Sequence, residues 1–223
     1  MKDINYFLEK EQKFQKDHPK EELYFDKQLH CLMPQKYPDD FLRDGWFGKY
    51  SKDEHSSEVK KAIQEYNLTK VECLILICFL GNLSKVFRDD YYNEFGEIPE
   101  VTKEMQDILE CIIKKAPTHD GGVVYRFLQS EDNSLLKKGE TITIAHSLTT
   151  TNKDWGQDES RNKNVYVITP LPKEKTFAHD LYKILNHGDE NQVNFLRASK
   201  FLVKDVVINK ENKTKRIYLD EIE

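Results

Sequence analysis

Apolar residues recur along this chain with two different periods. Up to about Pro117 they return every three or four residues, and beyond it they alternate with polar ones. Ile4, Phe7, Leu8 and Phe14, with Glu11 among them, predict an amphipathic helix within residues 1–16. Pro19, Pro34 and Pro38 punctuate the next stretch, and Asp44-Gly45-Trp46-Phe47-Gly48 reads as a turn carrying an aromatic pair, either a core edge or a partner surface. Ser57-Glu58 opens a helix predicted to reach Tyr66. Thr69 and Glu72 stand at capping-box spacing, and the run from Val71 to Leu80, apolar on nearly all sides, predicts a buried central helix. Gly81-Asn82 interrupts it, and a more polar helix is predicted over Leu83–Phe95. The last helix begins at Pro99-Glu100, places Met105, Ile108, Leu109 and Ile112 on one face, and ends before Pro117.

After Gly121-Gly122 the pattern is that of strands. These are predicted at Val123–Leu128, at Thr141–Leu148 with Ile142 and Ile144 alternating, and at Val165–Thr169, which Pro170 and Pro172 end. Thr176–Leu185 predicts a short helix. A turn at Gly188, strands around Val193–Phe195 and Lys200–Ile208, a polar turn at Asn209–Thr214 and a closing strand at Arg216–Leu219 follow. Helices first and strands second predict an α+β fold, with an N-terminal helical block packed on a mainly antiparallel, twisted sheet. The division falls at residues 1–117, a scaffold or partner surface, and 118–223, the core that carries the chemistry.

Composition narrows the function only slightly. The chain of 223 residues is 38% hydrophobic and 33% charged, enough to bury a core. Its net charge of −5 gives no basic footprint for tight nucleic-acid binding, although a local basic groove can sit on an acidic body. Cys31, Cys73, Cys78 and Cys111 show no metal or disulfide spacing and read as buried, reduced thiols of a reducing compartment. The first residues lack the apolar stretch of a signal peptide, and the run from Cys73 to Leu80 is too short to span a bilayer, so a cytoplasmic protein without membrane contact is expected. His146 and His179 show no metal spacing, and no metal is expected.

Three short elements carry candidate chemistry. Arg126, inside the apolar Val124-Tyr125-Arg126-Phe127-Leu128, is either paired at a sheet edge or turned to a cleft, where its planar fork suits a diphosphate or ribose. Thr149-Thr150-Thr151 follows the second strand and is either a β-branched strand end or a row of hydroxyls beside a ligand. Glu190 and Gln192, two apart where a polar turn enters a strand, project to one face.

In this order, arginine, hydroxyl triplet and Glu-x-Gln, the elements resemble the NAD-dependent mono-ADP-ribosyltransferases of the Arg-Ser-Glu class, which include clostridial binary toxins and phage-encoded transferases. The resemblance spans about residues 118–223. It implies NAD as co-substrate, bound by Arg126, Thr149, Thr150 and Thr151; Trp155, in the loop after the triplet, is either a stacking partner for a ring of the dinucleotide or a core aromatic. It implies catalysis by the positions of Glu190 and Gln192 with Arg126, and a macromolecular acceptor, protein or nucleic acid; Tyr182, Asn186 and His187, in the stretch before Glu190, are either contacts to that acceptor or a solvated loop. The departure is at Gln192, where the family has its catalytic glutamate. Gln192 makes the chain either a natural degenerate transferase or NAD-binding pseudoenzyme, or an enzyme disarmed by replacement of Glu; in a third alternative Glu190 is itself the catalytic carboxylate. A phage enzyme, or a bacterial defence or toxin effector with an antitoxin or inhibitor partner, is the implied setting. The rival expectation is an inactive module that binds NAD or a protein partner.

Overall fold

A computed structural model describes residues 2–19, 24–26, 31–33, 37–52, 56–81, 83–128, 136–155, 164–209 and 214–223. The chain divides into two compact units, Met1–Ile112 and Ile113–Glu223.

The first unit is helical. Helix α1 (Ile4–Asp17) starts where the Asp3 side chain accepts the Tyr6 amide, and it buries Phe7, Glu11 and Phe14. A two-stranded ribbon, β1 (Tyr24–Asp26) with β2 (Cys31–Met33), is antiparallel. A 3₁₀ turn at Asp40–Asp44 ends at Gly45, whose φ of +68° suits glycine, and leads into α2 (Trp46–Tyr50). The buried Glu11 carboxylate accepts the Phe47 and Gly48 amides, both at 2.8 Å, satisfying donors at the start of that short helix. Burial pushes Glu11 above the ordinary carboxylate range, against the pull of those two amides.

Helix α3 (Ser57–Glu65) is capped by Ser56, and α4 (Lys70–Leu80) by the predicted box: Thr69 Oγ1 accepts the Glu72 amide and Glu72 Oε2 accepts the Thr69 amide at 2.7 Å. The central helix is buried as predicted, with Leu74, Ile75 and Leu76 among the largest fully enclosed side chains.

The predicted helix over Leu83–Phe95 is instead two 3₁₀ turns, Ser84–Phe87 and Asp89–Tyr92, parted by extended Arg88. The Phe87 carbonyl accepts from the Gln106 amide side chain, which also donates to Asp89, and Tyr92 Oη donates to the Val86 carbonyl. Carbonyls that a continuing helix would have used are thereby taken. Helix α5 (Glu100–Lys115) buries Met105, Ile108, Leu109 and Ile112 as predicted, and the unit boundary falls in its last turn. Cys73 and Cys78 are buried free thiols, with burial raising Cys73 to about 11, whereas Cys111 is exposed, contrary to expectation.

The second unit is an eight-stranded sheet. Its strands are β3 (Val124–Phe127), β4 (Thr141–Ile144), β5 (Leu148–Thr151), β6 (Val165–Thr169), β7 (Ala178–His179), β8 (Gln192–Phe195), β9 (Ser199–Ile208) and β10 (Lys215–Ile222). The spatial order is β4-β9-β10-β6-β3-β5-β8-β7, antiparallel except for β10 beside β6. The α+β class and the mainly antiparallel sheet are as expected.

Three local predictions fail. Thr141–Leu148 is not one strand: β4 pairs with β9 and β5 with β8, so the chain changes neighbours between Ile144 and Leu148. The threonine triplet consequently lies inside β5 instead of after a strand. Thr176–Leu185 is not a helix. Thr176 Oγ1 donates to the buried Glu221 carboxylate while accepting the Ala178 amide, which commits the segment to β7; a 3₁₀ turn at Leu181–Lys183 follows. Residues 210–213 of the predicted polar turn lie outside the described residues, but the Asn209 amide donates to the Thr214 carbonyl at 2.8 Å. Val124, Leu148, Tyr166, Ile168, Val193, Phe195 and Phe201 belong to one buried cluster in this unit.

Candidate active site

Strand alternation sorts the threonines. In the β5–β8 register Thr149 faces Asn194, Thr150 faces Val193 and Thr151 faces Gln192. Paired residues share a sheet face, so Thr149, Thr151, Gln192 and Asn194 lie on one side. Thr150 lies on the other with the buried Val193, and its hydroxyl donates to the Val193 carbonyl at 2.6 Å. Of the triplet, Thr149 and Thr151 are thus the pair that points toward Gln192 and Asn194.

Two groups of hydrogen bonds hold the predicted residues, one around Thr149 and one around Thr151. Arg126 Nη1 donates to the Thr149 carbonyl at 3.2 Å. The Thr149 hydroxyl accepts from Asn194 Nδ2 at 3.1 Å. The Thr151 hydroxyl donates to the Glu190 carbonyl at 2.6 Å and accepts the Lys153 amide. Gln192 Nε2 donates to the Glu190 carboxylate at 2.7 Å. Adjacent strands β3, β5 and β8 thus bring these residues close. Tyr125 is the residue paired with Thr151, so Arg126 lies on the Thr150 face and meets Thr149 at its backbone carbonyl, while the Thr149 and Thr151 hydroxyls face Asn194 and Gln192.

Two buried acceptors in this region, Gln192 Oε1 and Asn194 Oδ1, have no hydrogen-bond partner among the described residues. Leaving a buried acceptor unpaired costs about 1–3 kcal/mol. The positive charge of Arg126 also reaches Tyr166, its cross-strand partner; burial raises that phenol to about 12, with Arg126 opposing the rise.

The remaining candidates take no part in these bonds. Trp155 stacks on Phe127 with ring centroids 5.8 Å apart and an interplanar angle of 21°, beside Arg126 in sequence. Tyr182 packs against the buried cluster, with Lys183 Nζ 4.8 Å from its ring centre. His187 is exposed, and its carbonyl accepts the Glu190 amide at 3.4 Å. Asn186 is exposed and bonded to Asn191. Among the described residues no group of three or more His, Cys, Asp or Glu side chains could hold a metal ion, and no helix is long and apolar enough to cross a membrane.

Sequence reasoning missed the residues that brace these strands. His119 is buried, with Nδ1 2.6 Å from Asp180 Oδ1 and Nε2 3.2 Å from the Gly122 carbonyl. Both neighbours are acceptors, an arrangement that favours a ring with both nitrogens protonated. Burial works against that charge, but the bonds to Asp180 and Gly122 and the charges of Asp180 and Asp120 raise the His119 pKa above its ordinary value. The clamp joins the turn before β3 to the residue after β7. The only sequence signal was the Gly121-Gly122 pair: a Cβ on Gly121 would lie 2.6 Å from His119 Cε1. Glu221 on β10 likewise accepts from the Leu171 amide, the Thr176 hydroxyl and the Phe177 amide, at 2.6 to 2.8 Å.

No family model matches the chain, and neither does any curated protein. Solved structures do. The Clostridium limosum C3 exoenzyme superposes with a TM-score of 0.55 at 16% identity, over 77% of this chain and 97% of its own. Plx2a, an ADP-ribosyltransferase toxin from Paenibacillus larvae, gives 0.55 at 15% identity over 78% and 96%. C3stau2 from S. aureus, solved with NAD, gives 0.55 at 14% identity over 77% and 98%. Residues 118–223 are 106 of the 223, so an overlap of 77% takes in part of the helical unit as well as the sheet. The chain has the fold of the ADP-ribosyltransferase toxins.

Proposed function

We propose that the protein is an NAD-dependent mono-ADP-ribosyltransferase whose turnover is impaired by Gln192. The observation that carries this is the convergence on adjacent strands of Arg126 with Thr149, and of Thr151 with Glu190 and Gln192, residues from three separate parts of the chain, on a fold shared with such toxins. In the reaction the bond between nicotinamide and ribose breaks, its electron pair leaves with nicotinamide, and an acceptor nucleophile bonds to the ribose carbon and loses a proton. Arg126 supplies a planar fork of donors for the diphosphate or ribose. The Thr149 hydroxyl holds Asn194 and the Thr151 hydroxyl holds the Glu190 backbone. Gln192 Oε1, buried and without a partner among the described residues, is an acceptor suited to a ribose hydroxyl. Glu190 orients or deprotonates the acceptor, for which Asn186 and His187, exposed on the adjoining turn, are candidate contacts.

What Gln192 does not supply is negative charge against the cation that develops on the ribose. Losing such electrostatic stabilisation costs about 3–4 kcal/mol, or about 10²–10³ in rate. A macromolecular acceptor, protein side chain or nucleic-acid base, and a role as a phage or bacterial toxin or defence effector complete the proposal.

A second reading, an inactive NAD-binding pseudoenzyme, is favoured by one observation. The Gln192 amide already occupies the Glu190 carboxylate, a pairing that two ionised carboxylates would not make.

Calorimetric titration of the protein with NAD, beside Arg126→Ala, tests the proposal. Binding that Arg126→Ala removes is expected, and no binding by the unsubstituted protein would sink both readings.

A further inference from the structure

We propose that Asn191, the residue between Glu190 and Gln192, is the positioning residue of this site: its backbone and side chain together lock the turn that sets the Glu190 carboxylate against the Gln192 amide. The inference rests on the transferase reading only in treating that pair as the reacting groups.

Asn191 has φ +47°, in the left-handed region that among side-chain-bearing residues asparagine adopts most readily. There it makes four hydrogen bonds. Its amide donates to Asn186 Oδ1 at 3.1 Å and its Oδ1 accepts from Asn186 Nδ2 at 3.0 Å. Its Nδ2 donates to Asn152 Oδ1 at 3.2 Å, and its carbonyl accepts the Asn152 amide at 3.4 Å.

The two partners come from different segments of the chain. Asn186 precedes the Gly188 turn, and Asn152 directly follows Thr151 at the end of β5. Asn191 therefore fastens the turn both to its own beginning and to the hydroxyl strand. Thr151, whose hydroxyl holds the Glu190 carbonyl, fixes the preceding residue to the same strand end.

Asparagine meets every requirement here: tolerance of positive φ, a side-chain acceptor for Asn186 and a side-chain donor for Asn152. Aspartate lacks the donor, and glycine lacks both groups. Exposed turns are ordinarily mobile, whereas this one is tied at both ends, so the Glu190–Gln192 contact is set before any ligand arrives.

The test uses Asn191→Gly, which keeps the backbone free to adopt the turn and removes both side-chain bonds, and Asn191→Ala, which also strains it. The probe is the side-chain NH₂ signal of Gln192 in NMR spectra of the full chain, assigned by its disappearance in Gln192→Glu. Both variants are expected to move that signal toward the position of a free glutamine amide and to speed its solvent exchange about tenfold. NAD binding should weaken, and the rest of the spectrum should stay dispersed. A Gln192 signal unmoved in Asn191→Gly would overturn the proposal. Failure of the transferase reading has a different signature: the unsubstituted protein would not bind NAD while the Gln192 signal still responded to the Asn191 variants.

Discussion

Gln192→Glu subjects the proposed chemistry to two opposing effects that the geometry lets one size. The new carboxylate would supply the missing charge, expected to raise nicotinamide release by about 10²–10³. Against this, the Gln192 amide sits 2.7 Å from Glu190 Oε2, and two carboxylate oxygens at that distance repel by about 6 kcal/mol at an effective dielectric of about 20, or about 1.5 kcal/mol in bulk water. The pair must then either share a proton, so that it titrates as a coupled dyad with one apparent pKa well above the ordinary range, or swing apart. The variant should accordingly be less stable than the parent at high pH and recover as acid protonates the dyad, while the parent lacks this particular dependence. Nicotinamide release from NAD, followed across pH 5–9 with melting curves on the same samples, reads both effects. A folded Gln192→Glu protein that binds NAD yet releases nicotinamide no faster than the parent would refute the charge argument and leave the pseudoenzyme.

Other predictions follow from the bracing around the site. Gly121→Ala places a methyl group 2.6 Å from the His119 ring and should cost about 1–3 kcal/mol, seen as a lower melting temperature; an unchanged value would show that the clamp yields freely. His119 has a folded pKa raised above its unfolded value of about 6.5, so its contribution to stability is full below that value and lost as pH rises through the folded pKa. The stability gap between the parent and His119→Gln in urea titrations should therefore shrink from pH 6 to pH 9, and a gap that widens would contradict a charged ring.

The helical unit was largely legible because its signals are local. The Thr69–Glu72 box and the spacing of Met105, Ile108, Leu109 and Ile112 need only neighbours in sequence to be read. Failures came where a distant residue decides. Gln106 takes the Phe87 carbonyl and stops a helix, and Glu221 draws Thr176 into a strand. The break after Ile144 exists because β9 and β8 claim successive stretches of one alternating run, and period alone does not record which partner a strand will meet. The same holds at the site. Arg126, the threonines and Glu190–Gln192 were visible as motifs, but Asn152, Asn186 and Asn191 acquire meaning only when a loop and a strand end are brought side by side. Asn194 was invisible because a buried, half-satisfied amide has no signature in sequence.

The position of β10 bears on how the protein comes into being. Of the elements described it leaves the ribosome last, yet in the sheet it lies between β9 and β6 and is the one parallel neighbour of β6. Until residues 215–222 emerge, β4 and β9 have no link to the strands that carry Arg126, Thr149 and Gln192, and β6 shows an open edge to the cytosol of whatever cell makes it. Glu221, which secures the approach to β7, is also absent until then. A growing chain thus cannot finish its sheet through early, local pairings.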